Sequence, residues 1–204
     1  MLKDRRRSII LLAAPLAVAA LLLAGCTASP PTGVTATAGD GWARVTFGSG
    51  DPAFVHEVRS NPGDVSVNTS EDRVDIHGLQ NGIAYTFSVR SKGLDGLWSD
   101  WSAPSAPVTP TGPPSAPTIT GVTGFVDLMT GCTARVAVEP GSDGGVPITE
   151  YEVTVSGGSA PVRGTTSPIE VTGLTQHTTY DFTVRAINER GTSPSSATFT
   201  GVCS

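Results

Sequence analysis

Three cysteines carry the strongest nucleophiles of this 204-residue chain, and their positions divide their chemistry. Cys26 follows a basic stretch with Lys3, Arg5, Arg6 and Arg7 and an apolar run from Ile9 to Ala24 broken by Pro15, the layout of an export signal that ends in small residues. Cys132 and Cys203 lie far downstream, and no Cys-x-x-Cys spacing suggests a redox centre. The other reactive types form no constellation. His56, His77 and His177 are scattered, His-Glu-x-x-His and Gly-x-Ser-x-Gly do not occur, and nothing marks a nucleophile beside a base. The sharpest remaining group is Trp98-Ser99-Asp100-Trp101-Ser102, two indoles close behind Arg90 and Lys92, which suits stacking and contact rather than bond making. The reading is therefore a protein that is not an enzyme, with no cofactor and no metal.

The elements that would position these residues announce themselves by repetition. Gly78-Leu79, Tyr85, Phe87, Val89 and Arg90 recur as Gly173-Leu174, Tyr180, Phe182, Val184 and Arg185, each pair 95 residues apart. Apolar residues alternate in both copies, as in Val45 and Phe47, Val136 and Val138, or Tyr151, Val153 and Val155, which is the period of a half-buried strand. Asn61-Pro62-Gly63, Asn81-Gly82 and Gly141 to Gly145 punctuate these runs with turn formers. The expected fold is all-β, two tandem sandwiches of about seven strands each.

Leu79-x5-Tyr85 and Leu174-x5-Tyr180 match a tyrosine corner, in which a phenolic hydroxyl bonds the backbone a few residues upstream, so Leu79, Tyr85, Leu174 and Tyr180 are expected to be structural. With Tyr-x-Phe-x-Val-Arg after it, this region resembles a fibronectin type III domain, an immunoglobulin-like sandwich. The resemblance implies domains at 31–110 and 115–204, with 111–114 as a Pro-rich linker between them. Both copies lack the tryptophan usual on that family's second strand, and Phe47 and Val138 take its place, with a smaller core expected there. Prolines in Thr109 to Pro117 favour an extended, semi-rigid connection and hence a short rod. Trp42 is out of phase with Val45 and Phe47, and either faces solvent or packs at a domain end.

Leu23-Ala24-Gly25-Cys26 resembles the lipobox of bacterial lipoproteins, which implies a signal peptide over 1–25, acylation of the Cys26 thiol and a lipid-anchored tether at 26–30. The implied location is the extracytoplasmic face of a cell membrane, with membrane lipid as the first partner. With Cys26 assigned to lipid, Cys132 and Cys203 remain in an oxidising compartment, and a disulfide is their natural state. In an up-and-down sandwich the second strand of copy two starts at the end where the seventh finishes, so the two sulfurs can meet.

Trp98 to Ser102 resembles the W-S-x-W-S box of class I cytokine receptors, in which indoles interleave with basic side chains of the next strand. Arg90 and Lys92, alternating with Phe87 and Val89, are the matching rungs. Arg190-Gly191-Thr192 falls where cell-adhesive fibronectin domains carry Arg-Gly-Asp, without the carboxylate. Asp143 reads as a turn former and His77 as a strand-end residue.

Charge narrows the partners. The whole chain has 13 basic and 18 acidic residues. Removing Met1 to Gly25 takes four of the basic residues and Asp4, leaving a net charge of −8. An acidic pair of domains without a basic stripe is repelled by phosphate backbones, so nucleic acid is excluded as a partner. The expected function is a non-catalytic binding or spacer module with an unknown protein or cell-envelope glycan as partner. It would display Trp98, Trp101, Arg90, Lys92 and Arg190, with the Asn188 to Pro194 hairpin held away from the membrane. The alternative is a carbohydrate-associated module linked to polysaccharide degradation.

Overall fold

The computed structural model describes residues 28–49, 55–127, 131–157 and 160–203; the leader and Cys26 lie outside them. Every regular element among these residues is a strand. The first half contains β1 (Thr32–Ala38), β2 (Trp42–Gly48), β3 (Val55–Asn61), β4 (Ser66–Thr69), β5 (Arg73–His77) and β6 (Thr86–Lys92). They form two three-stranded antiparallel sheets, β1-β2-β5 and β4-β3-β6. The second half contains β7 (Thr118–Asp127), β8 (Gly131–Glu139), β9 (Glu150–Val155), β10 (Val162–Gly164), β11 (Ile169–Leu174), β12 (Thr179–Asn188), β13 (Gly191–Thr192) and β14 (Phe199–Val202). Its sheets are β11-β8-β7 and β10-β9-β12-β13, with β14 also on β12.

Alternation decides which face of each strand turns inward. On β2, Ala43, Val45 and Phe47 are buried while Arg44 and Thr46 are exposed. On β6, Phe87, Val89 and Ser91 point in and Arg90 and Lys92 point out. Each half closes over its own core, one around Val45, Val58, Phe87 and Val89, the other around Val136, Val153, Phe182 and Val184. Burying a side chain such as Phe87 stabilises by about 1.5–3 kcal/mol. Phe47 and Val138 are both buried, as expected for residues standing in for a core tryptophan.

Both tyrosine corners form. The hydroxyl of Tyr85 accepts the Gln80 N–H at 3.0 Å and that of Tyr180 accepts the Thr175 N–H at 2.9 Å. Leu79 and Leu174 are buried beside them. The Cys132–Cys203 disulfide closes the far end of the second sandwich, across a sequence separation of 71. Constraining a loop of that length contributes about 4 kcal/mol in the chain-entropy view.

The edge facing β6 is not a ladder-paired seventh strand. The segment after Trp98 runs beside β6 with a period of three. The N–H groups of Ser99, Ser102 and Ser105 donate to the carbonyls of Ser91, Val89 and Phe87 at 2.8, 2.8 and 2.9 Å. The amides of those same three β6 residues donate back to the three serine hydroxyls at 3.0–3.1 Å. Each hydroxyl in turn donates to the carbonyl of the next residue, Asp100, Ala103 or Ala106, at 2.8 Å. A chain that returns to the strand only every third residue, the period of a polyproline II helix, cannot offer a carbonyl to every β6 amide. The serine hydroxyl takes that carbonyl's place, so no buried amide is left unpaired.

The two sandwiches meet end to end through a hydrogen-bonded joint. Pro110 is fully buried, and its carbonyl accepts the Gly82 N–H at 2.9 Å. Thr111 N–H donates to Gly39 O at 3.2 Å, and Gly112 N–H donates to Gly144 O at 2.9 Å. The approach is close enough that a Cβ on Gly145, at φ +80°, would lie 2.6 Å from the Gly82 nitrogen. Glycine is required there on both counts.

Candidate functional site

The described residues of the first sandwich bring Trp98, Trp101, Arg90 and Lys92 together on its outer face and add two residues that sequence reasoning missed, Arg59 and Glu57. Arg90 and Lys92 share the outward side of β6, and pairing of β3 with β6 sets Arg59 opposite Ser88 and Glu57 opposite Arg90. The serine rungs fix the indoles beside these strands. The Arg90 guanidinium carbon lies 4.7 Å from the ring centres of both Trp98 and Trp101. Arg59 lies 4.5 Å from Trp101, and the Lys92 ammonium 5.6 Å from Trp98. Along the strand axis cation and indole alternate: Lys92, Trp98, Arg90, Trp101, Arg59.

Glu57 anchors the centre. Its carboxylate accepts from Arg90 Nε at 2.7 Å and from Nη2 at 2.6 Å, with both side chains mostly screened from water. A planar guanidinium held by a carboxylate at its edge leaves both faces free for aromatic rings. Each cation–π contact stabilises by about 0.5–1 kcal/mol at a partly exposed site. The ladder is thus a side-chain brace laid over the serine ladder. Glu57 and Arg59 alternate with inward Val58 and Ser60, which is enough to turn them outward but not to tie either to the tryptophans. What placed Arg59 under Trp101 was the β3–β6 register.

Arg190 joins none of these residues. Asn188 and the turn after it sit at the joint between the sandwiches, a place the sequence reading, which held the Asn188 to Pro194 hairpin away from the membrane, did not assign to them. The Asn188 side chain is buried, and its Nδ2 donates to Asp143 O at 2.8 Å, to Gly112 O at 3.0 Å and to Val146 O at 3.3 Å. Its Oδ1 accepts the N–H groups of Arg190 at 2.8 Å and Gly191 at 3.1 Å. Arg190 itself borders a groove with Asp40, Thr111 and Pro113. The reason is topological: the turn between β12 and β13 lies at the same end of the second sandwich as the start of β7, where the chain arrives from the first. Asp143 is a turn former as expected, its carboxylate accepting the Gly145 N–H at 2.9 Å.

The histidines stay apart. His56 is buried, hydrogen-bonded through Nδ1 to Ser91 Oγ at 2.8 Å and edge-on to Phe47. Burial pushes its pKa below the ordinary value, and Asp72 opposes this only in part. His77 ends β5 and faces the ring of Trp42. Trp42 packs at the domain end, over Gly39 and within 5.7 Å of Arg44. The Arg44 guanidinium grips Asp75 at 2.7 and 2.8 Å, which holds that carboxyl below its usual range.

Two sandwiches in tandem, each with a tyrosine corner, define the class as an all-β, immunoglobulin-like fold. Residues 130–202 match the model of the fibronectin type III domain. Among solved structures, the chain is similar to the crystal structure of the chicken CNTN1 FN1–FN3 domains, at 18% sequence identity and a TM-score of 0.52. The match covers 85% of this chain and 65% of that one, so the chain spans less than two thirds of the structure it resembles. At this identity the likeness concerns the fold. No curated protein matches the chain.

Proposed function

We propose that this chain is an extracytoplasmic lipoprotein, held on the cell membrane through acylated Cys26, whose two fibronectin type III sandwiches act as a non-catalytic spacer or binding module. The observation that carries this reading is the joint. The Asn188 side chain and the backbones of Gly112, Gly144, Gly82 and Pro110 fasten one sandwich to the next by hydrogen bonds, which suits a module that must hold a fixed reach from its anchor. The tryptophan and arginine ladder serves within it as the brace of the first sandwich. Stacking of a sugar ring on Trp98 or Trp101 would have to displace Arg90 or Arg59, so the polysaccharide-associated reading draws less support than a protein partner or a passive spacer.

The test is made in the native host with the full chain and its Cys26→Ala variant. Radiolabelled fatty acid should enter the wild type only, and the variant should leave the membrane fraction. Crosslinking of the wild type then reads its partner. Label-free wild type, or a variant that stays on the membrane, would overturn the anchored reading. Recovery of glycan in place of protein would revive the alternative.

A further inference from the structure

Resting on that anchored reading, we propose that the turn Gly93 to Leu97 of the first sandwich is a second membrane contact, seating Leu94 and Leu97 in the lipid surface beside the acylated cysteine. These are the two most exposed large apolar side chains among the described residues, at 64% and 62%. They sit on a hydrogen-bonded turn. Gly93 N–H donates to Leu97 O at 3.1 Å, Gly96 N–H donates to Gly93 O at 3.0 Å, and the Asp95 carboxylate accepts the Leu97 N–H at 2.9 Å. A closed turn that presents two leucines outward loses little entropy when it inserts them.

Strand register places this turn. Thr32, which opens β1, pairs with Gly48 at the close of β2, and Val55 at the start of β3 pairs with Lys92 at the end of β6. The ends of β2 and β6 therefore lie at one end of the sandwich, the end at which β1 begins. The joint lies at the other, where Tyr85 bridges Val108 and Gly82 meets Pro110. Thr27 to Thr32, the six residues after Cys26, carry the chain into β1. Even fully extended, they reach about 20 Å. A tether that short holds the leucine-bearing end near the headgroups and the second sandwich away from them.

The charges at this end define the kind of contact. Lys92 and Arg73 are offset by Asp95, Glu71 and Asp72, so the described residues form no cationic patch there to draw anionic lipid. The contact is apolar, with Trp98 next to the turn at the depth where indoles favour the interface. It should form on zwitterionic vesicles and persist in high salt.

The probe is the full chain carrying Leu97→Trp, with Ile83→Trp at the joint end as control, each reconstituted into phosphatidylcholine vesicles with or without brominated acyl chains. Intact mass reports the acyl state separately. The expected result is that the Leu97→Trp emission gained over wild type falls by half or more with brominated lipid, while that of Ile83→Trp does not change. Equal indifference of both in an acylated chain overturns the proposal. So does a blue-shifted, concentration-dependent Leu97→Trp emission without vesicles, which would mean that a second copy covers the leucines. If mass shows no acyl chain, the anchored reading fails. Quenching on added vesicles would then still uphold the hairpin contact, and its absence would reject both.

Discussion

The two sandwiches close the same edge in different ways. In the second, Ser193 and Ser196 repeat the period-three device against Ala186 and Val184, with serine N–H donation at 2.8 Å and hydroxyl acceptance at 2.9 and 3.0 Å. The chain then returns to ordinary pairing as β14, and Cys203 locks the end covalently. In the first, the device continues to a third rung at Ser105, no ladder strand follows, and the outer face is braced by stacked indoles and guanidinium groups. One backbone solution is therefore secured by side chains in one domain and by a cross-link in the other. The comparison teaches that the serines set the geometry while the reinforcement is interchangeable.

The largest effect should come from the cross-link. Replacing both Cys132 and Cys203 by Ser should cost the second domain about 4 kcal/mol. All three tryptophans lie in the first domain, so their emission on heating should keep its transition while hydrogen exchange in β8 and β14 accelerates. If the tryptophan transition moved by as much, the two closures would not be independent.

Next comes the side-chain brace. Arg90→Ala removes two stacking contacts and the Glu57 ion pair together and should cost about 2–3 kcal/mol in urea denaturation. Lys92→Ala, at the open end of the ladder, should cost about 0.5 kcal/mol. Equal losses for the two would mean that the ladder is not centred on Arg90.

The shared device is probed by Ser102→Ala and Ser196→Ala. Each leaves one buried β-strand amide, Val89 or Val184, without an acceptor and should cost about 1–2 kcal/mol. The two values should agree within about 0.5 kcal/mol. A large excess in either domain would show that the serines are not equivalent.

The smallest difference is a slope with pH. His56 has a depressed folded pKa, so below about pH 6.5 the unfolded chain binds a proton that the folded one refuses. The His56 contribution to the stability of the first domain should be fully present above that pH and decline as pH falls below it. The Asp75 contribution, held by Arg44, is lost only at more acidic pH, below the usual carboxylate range. Tryptophan-detected melts at pH 7.5 and 5.5 check this, and an identical melt at both would remove His56 from the account.

Alternation made the cores legible, because a period of two on a half-buried sheet leaves no other face for Val45 or Phe182. The tyrosine corners were legible from a single spacing, since the phenol must reach an amide five residues back. The disulfide was legible once Cys26 was assigned to lipid, since strand direction then brings the two remaining sulfurs to one end. Arg59 was not, because nothing local ties it to a tryptophan 42 positions away, and only the pairing of β3 with β6 does so. The three-residue serine spacing was visible but uninterpreted, since its meaning depends on the amides it faces.

Sequence by itself determined two β-sandwiches, their inward faces, their corner tyrosines and the rungs Arg90 and Lys92, because each rests on a short-range period that burial enforces. Tertiary structure decided where the ends go. The Asn188 turn meets the first domain, and Leu94 and Leu97 stand at that domain's opposite end, because the direction of a hairpin is fixed by strand order and register across the whole sheet.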